Sequence, residues 1–455
     1  MTDSHLLAIV VSGADSASER IGEHLLELAD WTEHEDTERP DADGGGSYHR
    51  LAGDPGAVER RTFEDLHLHL DRPAEAFSAT PELLVFASRH AGDTDALLTA
   101  HTTGNFGPAE FGGADYAVAE AAPNALAAIR ASFADHAPDG YEVGLECTHH
   151  GPTDVGCPSL FVELGSDEPQ WEDPAGAEAV ARSILDLRGV DAHRERSLLG
   201  LGGGHYVHRF ERLVVETEWA VGHVASDWVL GDVGDPRDHP EVFRQAFEAS
   251  GATRALLDAD ADTDATREFL AELGYEAVSE TWCRETSGVP LELVERVEAT
   301  FGTVAEGTRF GALAAGATDD APFVETTLPE RLLTECVGID RDRAREAVAE
   351  HTVAFTTAES GTVPTGPALL ADASDREAIV AALGPILDER YDEVAREDGV
   401  IVARTREFDP EKAATLGVSE GPAFGKLASG QAVEVGGREI DPEAVTSVRE
   451  ERFEL

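Results

Sequence analysis

Apolar runs that end on histidine constrain this chain more than any other feature. The run at residues 141–145 leads into ECTHHGPTDVGCP (146–158), which carries His149 and His150 and turns at Gly151 and Pro152, and another apolar run follows at 159–164. Four other runs in the first half close the same way: LLVFASRH at His90, LLTAH at His101, LLGLGGGH at His205 and WAVGH at His223. A buried imidazole must find polar partners, so a strand ending in two of them is poor packing material and reads as a site. If these runs are neighbours in one sheet, their histidines meet along one edge. Between the runs lie helical patterns at residues 16–31, 172–187, 240–249 and 263–273. Strands alternating with helices predict an α/β three-layer sandwich whose functional loops sit at the carboxyl ends of the strands.

Two segments depart from that rhythm. Residues 32–61 are polar, contain PDADGGG and read as a mobile surface insertion. Next, TFEDLHLHL (62–70) alternates like a half-buried strand, which would put His67 and His69 on one face. That pair could hold a metal, although a solvated strand face explains it more simply. Sixteen of the seventeen histidines lie at or before His239 and only His351 lies later, so the character of the chain changes near residue 285. Residues 1–285 are expected to form the catalytic domain and 286–455 a separate α+β accessory domain, with helices at 291–299, 329–351 and 375–391.

Composition sets the surroundings. With 90 acidic against 35 basic residues the net charge is -55, yet 42% of residues are hydrophobic and regularly spaced, so the chain folds. Only Lys412 and Lys426 are lysine. Such a surface suits concentrated salt, where the Debye length is about 3 Å at 1 M and self-repulsion is screened. No basic stripe advertises a nucleic-acid face, but phosphate contacts lose much of their counterion-release advantage in such salt, so the missing stripe excludes little. The expected setting is a soluble, halophilic, cytoplasmic protein: no apolar run reaches membrane length and MTDSHLLAIVVSG lacks a signal-peptide pattern. Cys147, Cys157, Cys283 and Cys336 lack metal-knuckle spacing and read as reduced thiols.

The candidate chemistry is hydrolytic. A catalytic zinc takes about three protein ligands and an open position, and His90, His101, His149, His150, His205 and His223, with Glu146 and Asp258, offer candidates. Zinc would activate water against a carbonyl; without it the same residues could serve as general base and oxyanion donors. Gly202, Gly203 and Gly204 permit close approach of a phosphate, ribose or base, or simply make a tight turn, while Thr102, Thr103 and Asn105 could orient a polar ligand or form an ordinary polar turn.

SRH (88–90), HTTGN (101–105), THHGP (148–152), PSLFVELGS (158–166), GGGHY (202–206) and GH (222–223), in this order, resemble the archaeal and plant type of D-aminoacyl-tRNA deacylase. The resemblance spans residues 1–285 without 32–61 and gives residues 286–455 no role. It implies hydrolysis of the ester between a D-amino acid and the 3′-terminal ribose of tRNA. It also implies a zinc requirement (Zn2+, up to two ions per subunit), a fold akin to peptidyl-tRNA hydrolases and nucleoside phosphorylases, and a monomer without an obligate protein partner. Which histidines hold metal is left open. The expected assignment is His101, His149, His150 and Arg89 as catalytic residues, Thr103, Asn105, Gly203 and Gly204 as substrate contacts, and His149, His150, His205 and His223 as ligands. Alternatives are a nucleoside phosphorylase-like transferase and a non-enzymatic metal- or RNA-binding module.

Overall fold

The computed structural model describes residues 5–318 and 321–455. The chain divides into two compact units, 1–287 and 288–455. In the first, the apolar LLAIVVS forms β1 (Leu6–Ser12), with all seven residues buried, as a strand covered on both faces requires. The helix α1 (Ser16–Glu27) follows, capped by Asp15, whose carboxylate accepts from the amides of Ala17 and Ser18. Then come β2 (Thr32–Asp36), β3 (Gly46–Leu51) and β4 (Ala57–Phe63).

The strands β2 and β3 form an antiparallel hairpin, β3 pairs with β4, and β4 lies parallel to β1. Residues 32–61 are therefore the outer part of the main sheet and not the expected mobile insertion. Their polarity is that of an edge, β2 being almost wholly exposed. The buried Arg61 on β4 is neutralised by Glu59 and Asp36, each at 2.8 Å. The expected strand at 62–70 is also corrected. Only Thr62 and Phe63 belong to a strand, and His67–His69 is a 3-10 turn that buries His67 and exposes His69, so the two share no face.

The chain continues through β5 (Leu83–Arg89), β6 (Leu97–His101), the short pair β7 (Gly104–Asn105) and β8 (Ala117–Val118), α2 (Pro123–His136), β9 (Glu142–Leu145), β10 (Ser159–Gly165), α3 (Glu168–Trp171) and α4 (Pro174–Leu185). The main sheet has the order β2-β3-β4-β1-β5-β10-β6-β9. Its strand β6 runs antiparallel to β10, which sets His101 opposite Phe161. The histidine-tipped strands thus do not share one carboxyl edge.

A second sheet accounts for the rest of the unit. The strands β11 (Ser197–Leu201), β12 (Ala220–Ala225), β13 (Arg254–Leu257) and β14 (Glu276–Val278) are all parallel, in the order β12-β11-β13-β14. They alternate with α5 (His208–Glu216), α6 (Asp227–Val233), α7 (Pro240–Ser250) and α8 (Asp264–Leu273), and α9 (Glu280–Thr286) ends the unit. The segment after β9 ties the two sheets together. Val207 N–H bonds to Leu145 O (3.1 Å), Cys147 N–H to His205 O (2.9 Å) and Thr148 N–H to Val224 O (2.9 Å).

The second unit combines helices with antiparallel sheets, one of four strands and one of three. Its core packs Leu332, Cys336, Phe355, Leu383 and Phe453. The expected helix at 329–351 is two, Glu330–Ile339 and Arg341–Ala349, because Asp340 leaves helical geometry and caps the second by accepting from Arg343 N–H. Among the described residues no helix is long and apolar enough to cross a membrane.

Candidate active site

The ECTHH segment delivers its side chains where the two sheets meet. His101, at the end of β6, is fully buried with its ring stacked on Phe161 (centroids 5.2 Å apart, 14° between planes). His149 and His150 close around it, with ring centroids 4.6 Å and 4.7 Å from that of His101 and 4.5 Å from each other.

All three imidazoles are anchored alike. The Nδ1–H of His101 donates to Thr102 O (3.0 Å), that of His149 to Cys147 O (2.8 Å) and that of His150 to Gly151 O (2.7 Å). A carbonyl can only accept, so each ring carries a proton on Nδ1 and turns its Nε2 away from the backbone. Ligand atoms from the three lie within 4.8 Å of one another. Buried His101 Nε2 has no hydrogen-bond partner among the described residues. Such an orphan, with two more imidazoles converging on it and a backbone carbonyl holding the Nδ1 proton of each ring, fits a zinc ion in donor chemistry and in number.

Beside this triad lies a charged group. Glu146, fully buried, sets Oε1 3.2 Å from His90 Nδ1 and Oε2 2.7 Å from His205 Nε2. Glu163, from β10, lies 3.5 Å from His90 Nδ1 and 3.7 Å from His101 Nε2. The second ring nitrogen of His90 meets Tyr206 Oη at 3.0 Å.

Burial and these carboxylates divide the histidines into two classes. Burial disfavours the imidazolium of His90, but Glu146 and Glu163 outweigh it and raise the pKa to about 11. Burial likewise opposes a charge on His205, and Cys147 and Glu146 overcome it, raising the pKa to about 10. Burial also works against a charged Glu146, yet His205 and His90 hold it well below its usual range. His150 is pushed down to about 4 by burial and by the neighbouring His101, and His149 falls well below its ordinary value for similar reasons. Neutral His149 and His150 thus stand beside protonated His90 and His205, while His101, between them, is raised by Glu163 against burial. A cavity of about 460 Å³ opens onto both classes, lined also by Asp15, Arg89, Phe161 and Glu163.

The remaining expected site residues fall elsewhere or serve the frame. His223 is not in the cluster. It is fully buried, Nε2–H donates to Ala119 O (2.8 Å), and Nδ1 faces the hydroxyls of Thr148 (3.1 Å) and Thr102 (3.2 Å), which leaves no lone pair for a metal. Thr103 donates its hydroxyl to Pro152 O (2.6 Å), and Asn105 Nδ2 donates to Gly112 O (2.9 Å) and Ala114 O (3.2 Å), so both brace loops, and Asn105 also lines a small cleft beside His149. Gly203 faces Asp258, whose Oδ2 would lie 2.8 Å from an added Cβ, and Gly204 leads to His205 without lining the cavity. Arg89 lies over Trp171, 5.0 Å from the ring centroid, at the cavity wall. Glu163 was not singled out from the sequence. Its signal was a lone carboxylate inside the apolar run SLFVELG.

The family model of D-aminoacyl-tRNA deacylases matches residues 77–278, a span that contains every one of these histidines and carboxylates. A D-aminoacyl-tRNA deacylase of Natronomonas pharaonis is 54% identical over 99% of this chain and 100% of its own length. The chain belongs to the D-aminoacyl-tRNA deacylase family. The family member of Halobacterium salinarum is 46% identical over 99% of this chain and 95% of its own. A crystal structure described as a conserved protein of unknown function, AF0625, is 25% identical, with a TM-score of 0.54, and covers 62% of this chain and 98% of that one. Family membership therefore extends beyond the site, through both units of the chain.

Proposed function

We infer that the chain is a D-aminoacyl-tRNA deacylase that hydrolyses the ester between a D-amino acid and the terminal ribose of tRNA, with zinc held by His101, His149 and His150. The convergence of three carbonyl-anchored imidazoles on the orphaned His101 Nε2 supports the metal assignment. Without an ion, Glu163 raises the proton affinity of His101 against the opposing effect of burial. The same attraction favours a cation in that position. Zinc there would supply Lewis acidity at the ester carbonyl.

The chain's own groups supply the rest. Protonated His205, the most exposed of the charged group at 33% side-chain exposure, keeps its Nε2 against Glu146 and lends positive charge to the ester beside it. Buried Glu146 orients it and stabilises its charge. His90, bonded to Tyr206 and paired with both carboxylates, fixes the wall of the cavity. Phe161 keeps water from the inner face of His101. A three-layer frame is consistent with helices that pack on the main sheet at β5, β6 and β10. The acidic surface and the haloarchaeal relatives favour a cytoplasm rich in salt. Neither the phosphorylase-like nor the non-enzymatic alternative is favoured by relatives that carry the deacylase name.

The decisive experiment compares D-tyrosyl-tRNA with L-tyrosyl-tRNA in molar potassium chloride, with and without a chelator. Selective D cleavage abolished by the chelator is expected. Selective cleavage that survives the chelator would remove the metal, and no cleavage of either would remove the function.

A further inference from the structure

Only two Phe, Tyr or Trp side chains among the described residues stand well out in solvent, Phe111 at 60% and Trp228 at 47% exposure. Both border His149. Phe111 lines the cavity of the histidine cluster with His149 and His150, and Trp228 lines a smaller cleft shared by Phe106, Thr148 and His149. A single exposed ring needs no explanation, but two in pockets that share one histidine of the site point to a ligand with flat faces. Neither ring stacks on another ring among the described residues.

Each ring has a firm base. The carbonyl of Phe111 accepts from Gly151 N–H (3.1 Å), and Asn105 Nδ2 grips the carbonyl of the next residue, Gly112 (2.9 Å). Trp228 projects from α6, whose Val229 and Val233 pack with Phe106 and Phe243 in the core. Bracing of this kind lowers the ordering cost when a ligand lands.

Charge narrows the choice of contact. The chain carries a net charge of -55 and the substrate is a polyanion, so their mutual repulsion must be screened by salt. The salt that screens it also weakens any contact between arginine and phosphate. Stacking of bases on aromatic rings tolerates sequence variation, and as a contact between uncharged faces it is not an ion pair for salt to screen.

We propose that Phe111 and Trp228 form a stacking platform for the unpaired bases at the 3′ end of tRNA, which holds the substrate by its bases and not by its phosphates. The proposal rests on the hydrolytic role given to the His149 site. The platform places the ester of the terminal ribose beside His149 while the base-paired acceptor stem stays off the acidic surface.

The test uses Phe111→Ala and Trp228→Ala, with Phe111→Tyr and Trp228→Phe as ring-keeping controls, in about 3 M potassium chloride. Turnover is measured on D-tyrosyl-tRNA and on D-tyrosine methyl ester, which has no bases. Loss of one ring should raise KM for the tRNA about 10- to 100-fold while kcat changes little. The loss on tRNA should exceed that on the methyl ester by about 10-fold or more, and the ring-keeping variants should recover most of it. Equilibrium binding of a CpCpA trinucleotide is measured alongside and should weaken by the same factor in the alanine variants. Unchanged KM and unchanged trinucleotide binding, or equal losses on both esters, would overturn the platform. If the native protein cleaved neither ester, the hydrolytic reading would fall, and trinucleotide binding would still decide whether the two rings hold bases.

Discussion

His223 offers a pH test that separates a core histidine from a metal ligand. Its ring is fully buried and hydrogen-bonded to the Ala119 carbonyl and to two threonine hydroxyls. Burial depresses its pKa to about 4, against a partial offset from the Ala119 bond. Because the folded-state pKa lies below the ordinary value near 6.5, the unfolded chain takes up a proton first as pH falls. The contribution is intact above about pH 6.5 and is lost as pH drops toward the folded value; at about pH 5 the loss amounts to roughly 2 kcal/mol. His223→Gln removes the titrating group but keeps an amide that can donate to Ala119. The variant should be less stable than the native protein near neutral pH, by about 1–3 kcal/mol for disturbed buried hydrogen bonds. That gap should shrink by roughly 2 kcal/mol at about pH 5. Denaturant unfolding of both proteins in concentrated potassium chloride, at about pH 7.5 and about pH 5, measures the gap directly. A gap of the same size at both pH values would refute the assignment, and loss of bound zinc in His223→Gln would return His223 to the ligands.

Three further outcomes are expected. His101→Ala or His150→Ala should lower the zinc content of the purified protein and reduce kcat by more than the about 10- to 100-fold typical of losing a ligand's supporting partner; full zinc occupancy in either variant would move the metal elsewhere. Glu146→Gln removes the carboxylate 2.7 Å from His205 Nε2, so the alkaline limb of the pH–rate profile should move from near the His205 pKa of about 10 toward neutrality, and an unmoved limb would deny the His205 charge its role in turnover. Gly222→Ala would push a Cβ to within 2.3 Å of Ser250 Oγ. It should cost roughly 1–3 kcal/mol by overpacking, read as a lower denaturation midpoint, and an unchanged midpoint would show that the β12 and α7 contact can yield.

What the sequence could show follows from how each feature is encoded. The strands β1, β5 and β10 are buried on both faces, so their apolar runs stand out whatever surrounds them. The hairpin of β2 and β3 was hidden because edge strands facing solvent are polar and look like loop. Helix α2 was hidden for a different reason. Its buried stripe mixes Ala125 and Ser132 with Leu126, Ile129 and Phe133, which leaves little hydrophobic contrast around the helix. The presence of a site was legible, since adjacent imidazoles after an apolar run demand partners. Its membership was not. His101 and His223 end similar runs, and only the antiparallel setting of β6 turns the first toward His149 and His150 while the second is absorbed by threonine hydroxyls.

The backbone of residues 145–148 is hydrogen-bonded to the segment after β11, at His205 and Val207, and to Val224 within β12, and the next two residues are His149 and His150. The segment that carries the proposed site is thus also the seam of the unit. Were the two sheets to part by even a fraction of an ångström, the imidazoles would lose register before any helix unwound. Turnover then works as a strain gauge for the joint between the sheets, and on dilution out of salt it should fall while the far-ultraviolet signature of folded chain persists.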